Sequence, residues 1–314
     1  MKSERAAFID IGTNSILCLI AELKEGGRYR VLDDLAQITR FGRGVDQTGY
    51  IGPHGEQRNL EVLREYLNRC RALGVQDVTA VGTSALRDAR NSTQVLARFK
   101  ERLGLDIAVI SGAQEASYAY LAVQQGLSLP GQELLVLDVG GGSTEFIRGN
   151  ESGVSQAVSV DVGSVRLTER FLRSDPVDAE ECKAMVAAID HEIAPLRDAW
   201  PSDGSPLTLV GIAGTFTTLA AVEKKLLRYS HGEVHGSHLT LGEVRRQIHL
   251  FQSQTLAERK AIPGLEPKRA DVILAGAYLI ERAMTLFKVQ EVVVSDQGVR
   301  YGLLHERLKR SREC

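Results

Sequence analysis

Leu134-Leu135-Val136-Leu137-Asp138-Val139-Gly140-Gly141-Gly142-Ser143-Thr144 is the stretch on which the fold turns. Its first half is a short apolar run, suited to a strand covered on both faces. The strand ends on a carboxylate, and three glycines and two hydroxyl residues follow at once. Without a Cβ, the glycines let the chain turn sharply and let an incoming group reach the amide N–H atoms. Successive N–H groups of that kind form an anion-binding concavity, to which Ser143 and Thr144 add short donors. Against a phosphate, Asp138 has an obvious use only in holding the Mg²⁺ that neutralises it. A second copy of the pattern occurs at Ala7-Phe8-Ile9-Asp10-Ile11-Gly12-Thr13-Asn14-Ser15. One such loop also fits a tight turn in any α/β core. Two of them, about a domain apart, predict two similar halves facing each other across a cleft.

The whole chain fits that outline. With 314 residues it is long for one core and suits two domains. Hydrophobic residues at 43% and charged residues at 25% are those of an ordinary globular protein. Lys+Arg 38 against Asp+Glu 40 gives a net charge of -2, so no global field recruits nucleic acid, and a polyanion would need local basic residues. Cys18, Cys70, Cys182 and Cys314 are scattered without metal-ligand spacing and read as thiols in a reducing compartment. Asp10 interrupts what would be a signal-peptide core, and the uncharged run from Leu207 to Val222 is too short to span a bilayer. The expectation is a cytoplasmic protein with no membrane or nucleic-acid partner; a homodimer is left open.

Strands alternate with helices in both halves, which predicts an α/β class. A hairpin is expected over Ile16 to Leu35, turning at Glu25-Gly26-Gly27-Arg28. The Gly-rich stretch from Phe41 to Gly55 reads as irregular, with Arg40 and Arg43 as solvated loop cations in preference to groups reaching the cleft. Helices are expected over Asn59 to Leu73 and Ser92 to Leu103, stopped by Gly74 and Gly104. Ile107 to Ile110 reads as a buried strand feeding a helix that carries Glu115. The stretch from Gly126 to Gln132 is the expected boundary, dividing residues 1–127 from 128–298, with the final helix 299–314 packing back on the first domain. In the second half, Asp178 and Glu181 read as a capping box, as do Thr240 and Glu243. Gly211, Gly214 and Thr215 read as a third Gly/Thr loop ahead of a helix, a nucleotide or anion site.

Hydrolysis of a phosphoanhydride needs charge neutralisation, an aligned water and a base for that water. Glu115 is the candidate base, because it follows a strand end, where open α/β sheets put their sites. An exposed Glu favoured by the helix dipole is the competing reading. Arg87 follows a strand end in the same way and reads either as a bidentate phosphate clamp or as an ion-pair partner of Asp88 or Asp138. Arg166, Lys268, Arg269 and Arg300 are basic candidates for a polyanion track. His235 and His238 read as a loop and not a zinc site.

These motifs, with Gly82-Thr83-Ser84-Ala85-Leu86-Arg87, Gly163-Ser164-Val165-Arg166-Leu167-Thr168-Glu169 and Lys268-Arg269-Ala270-Asp271, resemble the exopolyphosphatase/guanosine pentaphosphate phosphohydrolase family over nearly the whole chain and in the family's order. The resemblance implies two actin-like domains of the ribonuclease H-like, sugar kinase and Hsp70 superfamily around a central cleft. It also implies release of terminal phosphate from inorganic polyphosphate or pppGpp, with Mg²⁺ or Mn²⁺. Carried over by position, Glu115 is the catalytic glutamate and Arg87 the phosphate-contacting arginine. Asp138 becomes the metal-associated aspartate and Asp10 goes with the phosphate cradle, while the reading of the residues also offers Asp10 as a second carboxylate for the metal. Gly12, Thr13, Asn14, Ser15, Gly140, Gly141, Gly142, Ser143 and Thr144 form the phosphate cradle, and Arg269 lies on the substrate track, to which the reading of the residues adds Arg166 and Lys268. Gln114 and Tyr301 depart from the family, which has acidic residues there. The chain also stops where longer members continue into a helical HD-type domain. Rival readings are a phosphotransferase of the same superfamily and a non-catalytic sensor of polyphosphate or ppGpp.

Overall fold

A computed structural model describes residues 4–129, 133–200 and 207–313, leaving aside the side chains of 198 and 311–313. Residues 130–132 of the expected boundary and Cys314 lie outside the described residues. The chain divides into two compact units, one of Met1–Ala122 with Val299–Cys314, the other of Val123–Gly298.

The first unit is built on a five-stranded sheet of β1 (Glu4–Ile11), β2 (Ser15–Lys24), β3 (Arg28–Ile38), β4 (Asp77–Gly82) and β5 (Ile107–Val109), ordered β3-β2-β1-β4-β5. β1 pairs antiparallel with β2 and parallel with β4, so it is central. Its alternate residues sort onto two cores, as a period of two requires. Ala7, Ile9 and Ile11 join Leu60, Leu63, Tyr66 and Leu67 of the helix Pro53–Ala72. Ala6 and Phe8 join Val299, Leu304 and Leu308 of the helix Val299–Glu313.

The helix Pro53–Ala72 begins six residues before the expected Asn59, because Pro53 is well placed at the first turn, where no N–H partner is needed. The helix Ser92–Leu103 has both expected ends, and Gly104 closes it in the left-handed region at φ 67°. The segment around Ile107 departs from expectation. β5 is an edge strand, with Ala108 and Val109 exposed and Ile110 alone well buried. A short apolar run cannot by itself distinguish a central strand from an edge.

The second unit holds β6 (Glu133–Val139), β7 (Thr144–Asn150), β8 (Gly153–Val160), β9 (Leu207–Ile212), β10 (Ser237–Thr240) and β11 (Glu291–Val294), ordered β10-β11-β9-β6-β7-β8. Leu134 to Leu137 are all buried in β6, between antiparallel β7 and parallel β9. The run β8-β7-β6-β9-β11 repeats the first sheet's layout of a meander followed by parallel strands. The Thr240/Glu243 capping box is present. Asp178, by contrast, caps through the N–H of Glu180, while Glu181 turns to Ser174 at 2.7 Å. No described helix is long and apolar enough to cross a membrane.

Candidate active site

In the first unit, β1 delivers Asp10 and then turns through Gly12, whose N–H closes on the Ser15 carbonyl at 3.0 Å. The next two carbonyls are taken by the segment after β3. Gly42 N–H donates to Thr13 O at 2.8 Å, and the N–H groups of Thr39 and Arg40 donate to Asn14 O at 3.0 and 2.9 Å. With its carbonyls occupied, the loop is left with side chains that nothing satisfies. Asp10 Oδ1, Thr13 Oγ1 and Asn14 Nδ2 are buried and have no hydrogen-bond partner among the described residues. Native proteins leave few such atoms, so three on one loop mark a place for a ligand. Burial, and then the charge of Glu115, push the Asp10 carboxyl up to about 7, against a smaller opposing effect of Arg300. A cation would relieve that penalty, and a carboxylate oxygen suits a hard one such as Mg²⁺.

Glu115 lies in the first turn of the helix Gly112–Gly126 and is 7% exposed, which excludes the reading of a solvated helix-end carboxylate. A capping box made by Ser111 and Gln114 sets that turn. The N–H of Gln114 donates to Ser111 Oγ at 3.2 Å, and the N–H of Ser111 donates to Gln114 Oε1 at 2.9 Å. Gln114 therefore caps this helix without carrying a charge. Arg87, on the short helix Ser84–Asp88 after β4, donates through Nη1 to Glu115 Oε2 at 2.6 Å and to Ile110 O at 3.1 Å. The ion pair with Glu115 is one that the sequence did not suggest. Burial raises the Glu115 carboxyl, and Arg87 opposes the shift. The pair gives a buried carboxylate a reason to stay ionised.

The second unit repeats the loop. Gly140 N–H closes on Ser143 O at 3.1 Å. Here the carbonyls are taken by the helix Ser164–Phe171. Ser164 N–H donates to Gly140 O at 2.9 Å, and the N–H groups of Val165 and Arg166 donate to Gly141 O at 2.9 and 3.1 Å. Arg166 Nε adds a bond to Gly142 O at 2.8 Å, which makes this arginine a brace of the loop. The approach is close enough that a Cβ on Gly163 would lie 2.5 Å from the carbonyl of Gly141. The amide N–H groups of Gly141 and Gly142 have no protein partner among the described residues, as an anion cradle requires.

The hydroxyls do not join that cradle. Ser143 Oγ donates to Glu145 Oε1 at 2.9 Å, and Thr144, fully buried on β7, donates to the carbonyl of Val162. Strand alternation turns Thr144 inward, which corrects its assignment as a phosphate donor. Asp138 and Glu145 are direct partners across the β6–β7 hairpin and are 8% and 1% exposed. Residues so placed have adjacent side chains, so the unit buries two neighbouring carboxylates. The sequence reading passed over Glu145, although the hairpin register pointed to it. Among the described residues no three His, Cys, Asp or Glu are grouped to hold a metal. Mg²⁺ does not need such a cage, since it takes one or two carboxylates together with phosphate and water.

The expected third loop is not a loop. Gly211 lies within β9, and Gly214 and Thr215 form the first turn of the helix Ala213–Glu223. The turn starts at a strained Ala213, φ 70°. Gly214 has a packing reason, since a Cβ there would lie 1.9 Å from the Arg269 guanidinium. That guanidinium has no hydrogen-bond partner among the described residues, and burial pulls its pKa down. Lys268 beside it is exposed. Arg300 is withdrawn from the polyanion track: Asp34 grips it at 2.8 and 2.9 Å, and the Tyr301 hydroxyl donates to the same carboxylate at 2.9 Å. His238 lies on β10 rather than in a loop and pairs with Glu291.

The model of the Ppx/GppA phosphatase family matches residues 19–311. Exopolyphosphatase 2 of Mycobacterium tuberculosis is 32% identical over 96% of this chain and 98% of its own. A guanosine-5'-triphosphate,3'-diphosphate pyrophosphatase of Vibrio atlanticus is 27% identical over 98% of this chain and 60% of its own. Among solved structures, the Aquifex aeolicus Ppx/GppA family member superposes with a TM-score of 0.82 at 35% identity, covering 99% of both chains. An exopolyphosphatase from Cytophaga hutchinsonii gives a TM-score of 0.89 at 29% identity over 98% of both chains.

Proposed function

This chain belongs to the Ppx/GppA phosphatase family, and we infer from its residues that it is a phosphoanhydride hydrolase, an exopolyphosphatase that releases terminal orthophosphate from inorganic polyphosphate. Hydrolysis of pppGpp is the second reading, favoured by the guanosine pyrophosphatase among the relatives. The observation that carries the proposal is the first-unit cluster: orphaned Asp10, Thr13 and Asn14 atoms together with a buried Glu115 held by Arg87.

Glu115 orients the attacking water and takes its proton, while Arg87 holds the carboxylate in place. Thr13 and Asn14 donate to phosphoryl oxygens, and the free N–H groups of Gly141 and Gly142 receive anionic oxygen in the second unit. Asp10 and Asp138, the latter with Glu145 beside it, are the carboxylates that would hold Mg²⁺ or Mn²⁺. A bound divalent cation would supply charge neutralisation on the phosphoryl oxygens. Arg269 and Lys268 are proposed to serve the remaining chain of phosphates, and the cytoplasm is the proposed location.

The test is phosphate release from short polyphosphate, long polyphosphate and pppGpp, measured side by side with Mg²⁺ or Mn²⁺. Faster release from polyphosphate supports the first reading, and faster release from pppGpp replaces it by the second. Binding without release, or transfer to an added hydroxyl acceptor, overturns both.

A further inference from the structure

The chain enters the second unit at Val123 and leaves it at Gly298. Within that unit the two ends lie side by side, since a Cβ on Gly126 would be 2.2 Å from the side-chain Oε1 of Gln297. His235, just after the helix His231–Val234, touches both ends. Its Nε2 is 3.1 Å from the carbonyl oxygen of Gly126, and its Nδ1 is 3.1 Å from Asp296 Oδ1. Both neighbours are acceptors, so both ring nitrogens must carry a proton to satisfy them. Only the imidazolium does that.

We infer that His235 is a proton-controlled clasp, fastening the entering segment at Gly126 to the leaving segment at Asp296 while it is doubly protonated. In the neutral ring Nε2–H keeps Gly126, but the Nδ1 lone pair then faces a carboxylate oxygen. The donors left to that lone pair are the Asp296 N–H at 3.4 Å and the Ser295 hydroxyl at 3.5 Å, both longer than the 3.1 Å contact with the carboxylate. The Asp296 side chain is 6% exposed, so water does little to offset the loss. Other titratable groups stand on the surrounding elements. His231 binds the second oxygen of Asp296, Glu233 pairs with Lys224, and His238 pairs with Glu291. The Asp296 hydrogen bond raises the His235 pKa above the ordinary 6.5, against the opposing effect of burial. Burial pushes the Asp296 carboxyl up, but its two imidazole partners outweigh this and the net shift is downward. A raised histidine stabilises the fold fully below its unfolded value, and the contribution is lost as pH rises through the folded value.

The imidazole ¹⁵N resonances of the wild-type protein, followed through pH, test the clasp directly. Two protonated ring nitrogens at and above pH 6.5 are expected, with amide exchange in residues 123–129 and 293–298 losing protection once the ring titrates. A His235→Gln variant can keep the bond to Gly126 but has no charge, and its protection in residues 123–129, which His231 does not touch, should be independent of pH. A neutral ring with one N–H at pH 6, or the same pH-dependent protection in the variant, overturns the inference. The wild-type resonances decide it even if the variant does not fold.

Discussion

The two Asp-Gly loops share one backbone and differ in everything attached to it. In each, a glycine N–H closes on a serine carbonyl three residues on, at 3.0 Å for Gly12 and 3.1 Å for Gly140. In each, the intervening carbonyls are taken by a following segment. The first loop then leaves a carboxylate, a hydroxyl and an amide unsatisfied, whereas the hydroxyls of the second are spent on Glu145 and Val162. Each loop brings a carboxylate, but the first is thus prepared to donate to a ligand with side chains and the second with backbone N–H groups. An apo fold stays marginally stable by placing its unsatisfied groups where substrate will compensate them.

The largest expected effect tests the first side of that contrast. Glu115→Gln should retain substrate binding and lose about 10²- to 10⁴-fold in kcat, the usual contribution of a general base. Unchanged turnover would move the chemistry away from the first unit. Asp10 provides the next test. Its carboxyl, raised from 3.8 to about 7, stabilises the fold fully below the unfolded value, and that contribution is lost as pH rises through 7. A cation on the ionised carboxylate should offset the loss. The rise in Tm on adding Mg²⁺ should therefore be larger at pH 8 than at pH 6, and Asp10→Asn should remove the difference. A Mg²⁺ effect of the same size at both pH values would separate Asp10 from the metal.

The second side of the contrast is tested by Gly163→Ala. The new Cβ would sit 2.5 Å from Gly141 C and O and 2.7 Å from Gly142 C, backbone atoms with no freedom to swing aside. Overpacking of this kind costs about 1–3 kcal/mol. If the second loop acts through its N–H geometry, the lower Tm should be accompanied by a raised KM for polyphosphate. A fall in Tm with KM unchanged would confine that loop to a structural part.

Legibility in the sequence follows the same division. The glycines, the apolar runs and the caps are local signals, and they located both loops, the helix Ser92–Leu103 and the capping box at Thr240. Pairings between distant residues left no local trace. Arg87 meets Glu115 across 28 residues, and Arg300 meets Asp34 across 266, so nothing near either arginine announced its partner. Glu145 is a different case, because a hairpin turning at Gly140 to Ser143 places it opposite Asp138 by counting alone. The hydroxyls of Ser143 and Thr144 were misread because composition names a donor without saying which way the strand turns it.

The smallest effects sharpen the comparison most, since they come from the same chemical change made at both loops. Thr144→Val removes a hydroxyl that is fully buried and bonded to the carbonyl of Val162, leaving that acceptor unsatisfied at a cost of about 1–3 kcal/mol. Because the hydroxyl points into the unit, kcat/KM should hardly move once the protein is folded. Thr13→Val removes a buried hydroxyl that has no partner among the described residues, so the variant should be no less stable to unfolding. If that hydroxyl donates to a phosphoryl oxygen, kcat/KM should fall by roughly 1 kcal/mol, about fivefold. Chemical denaturation and phosphate-release assays on the two variants would give crossed results, stability lost at one loop and activity at the other. Parallel results, with both variants losing stability or both losing activity, would mean that the unsatisfied atoms of the first loop are not where the substrate binds.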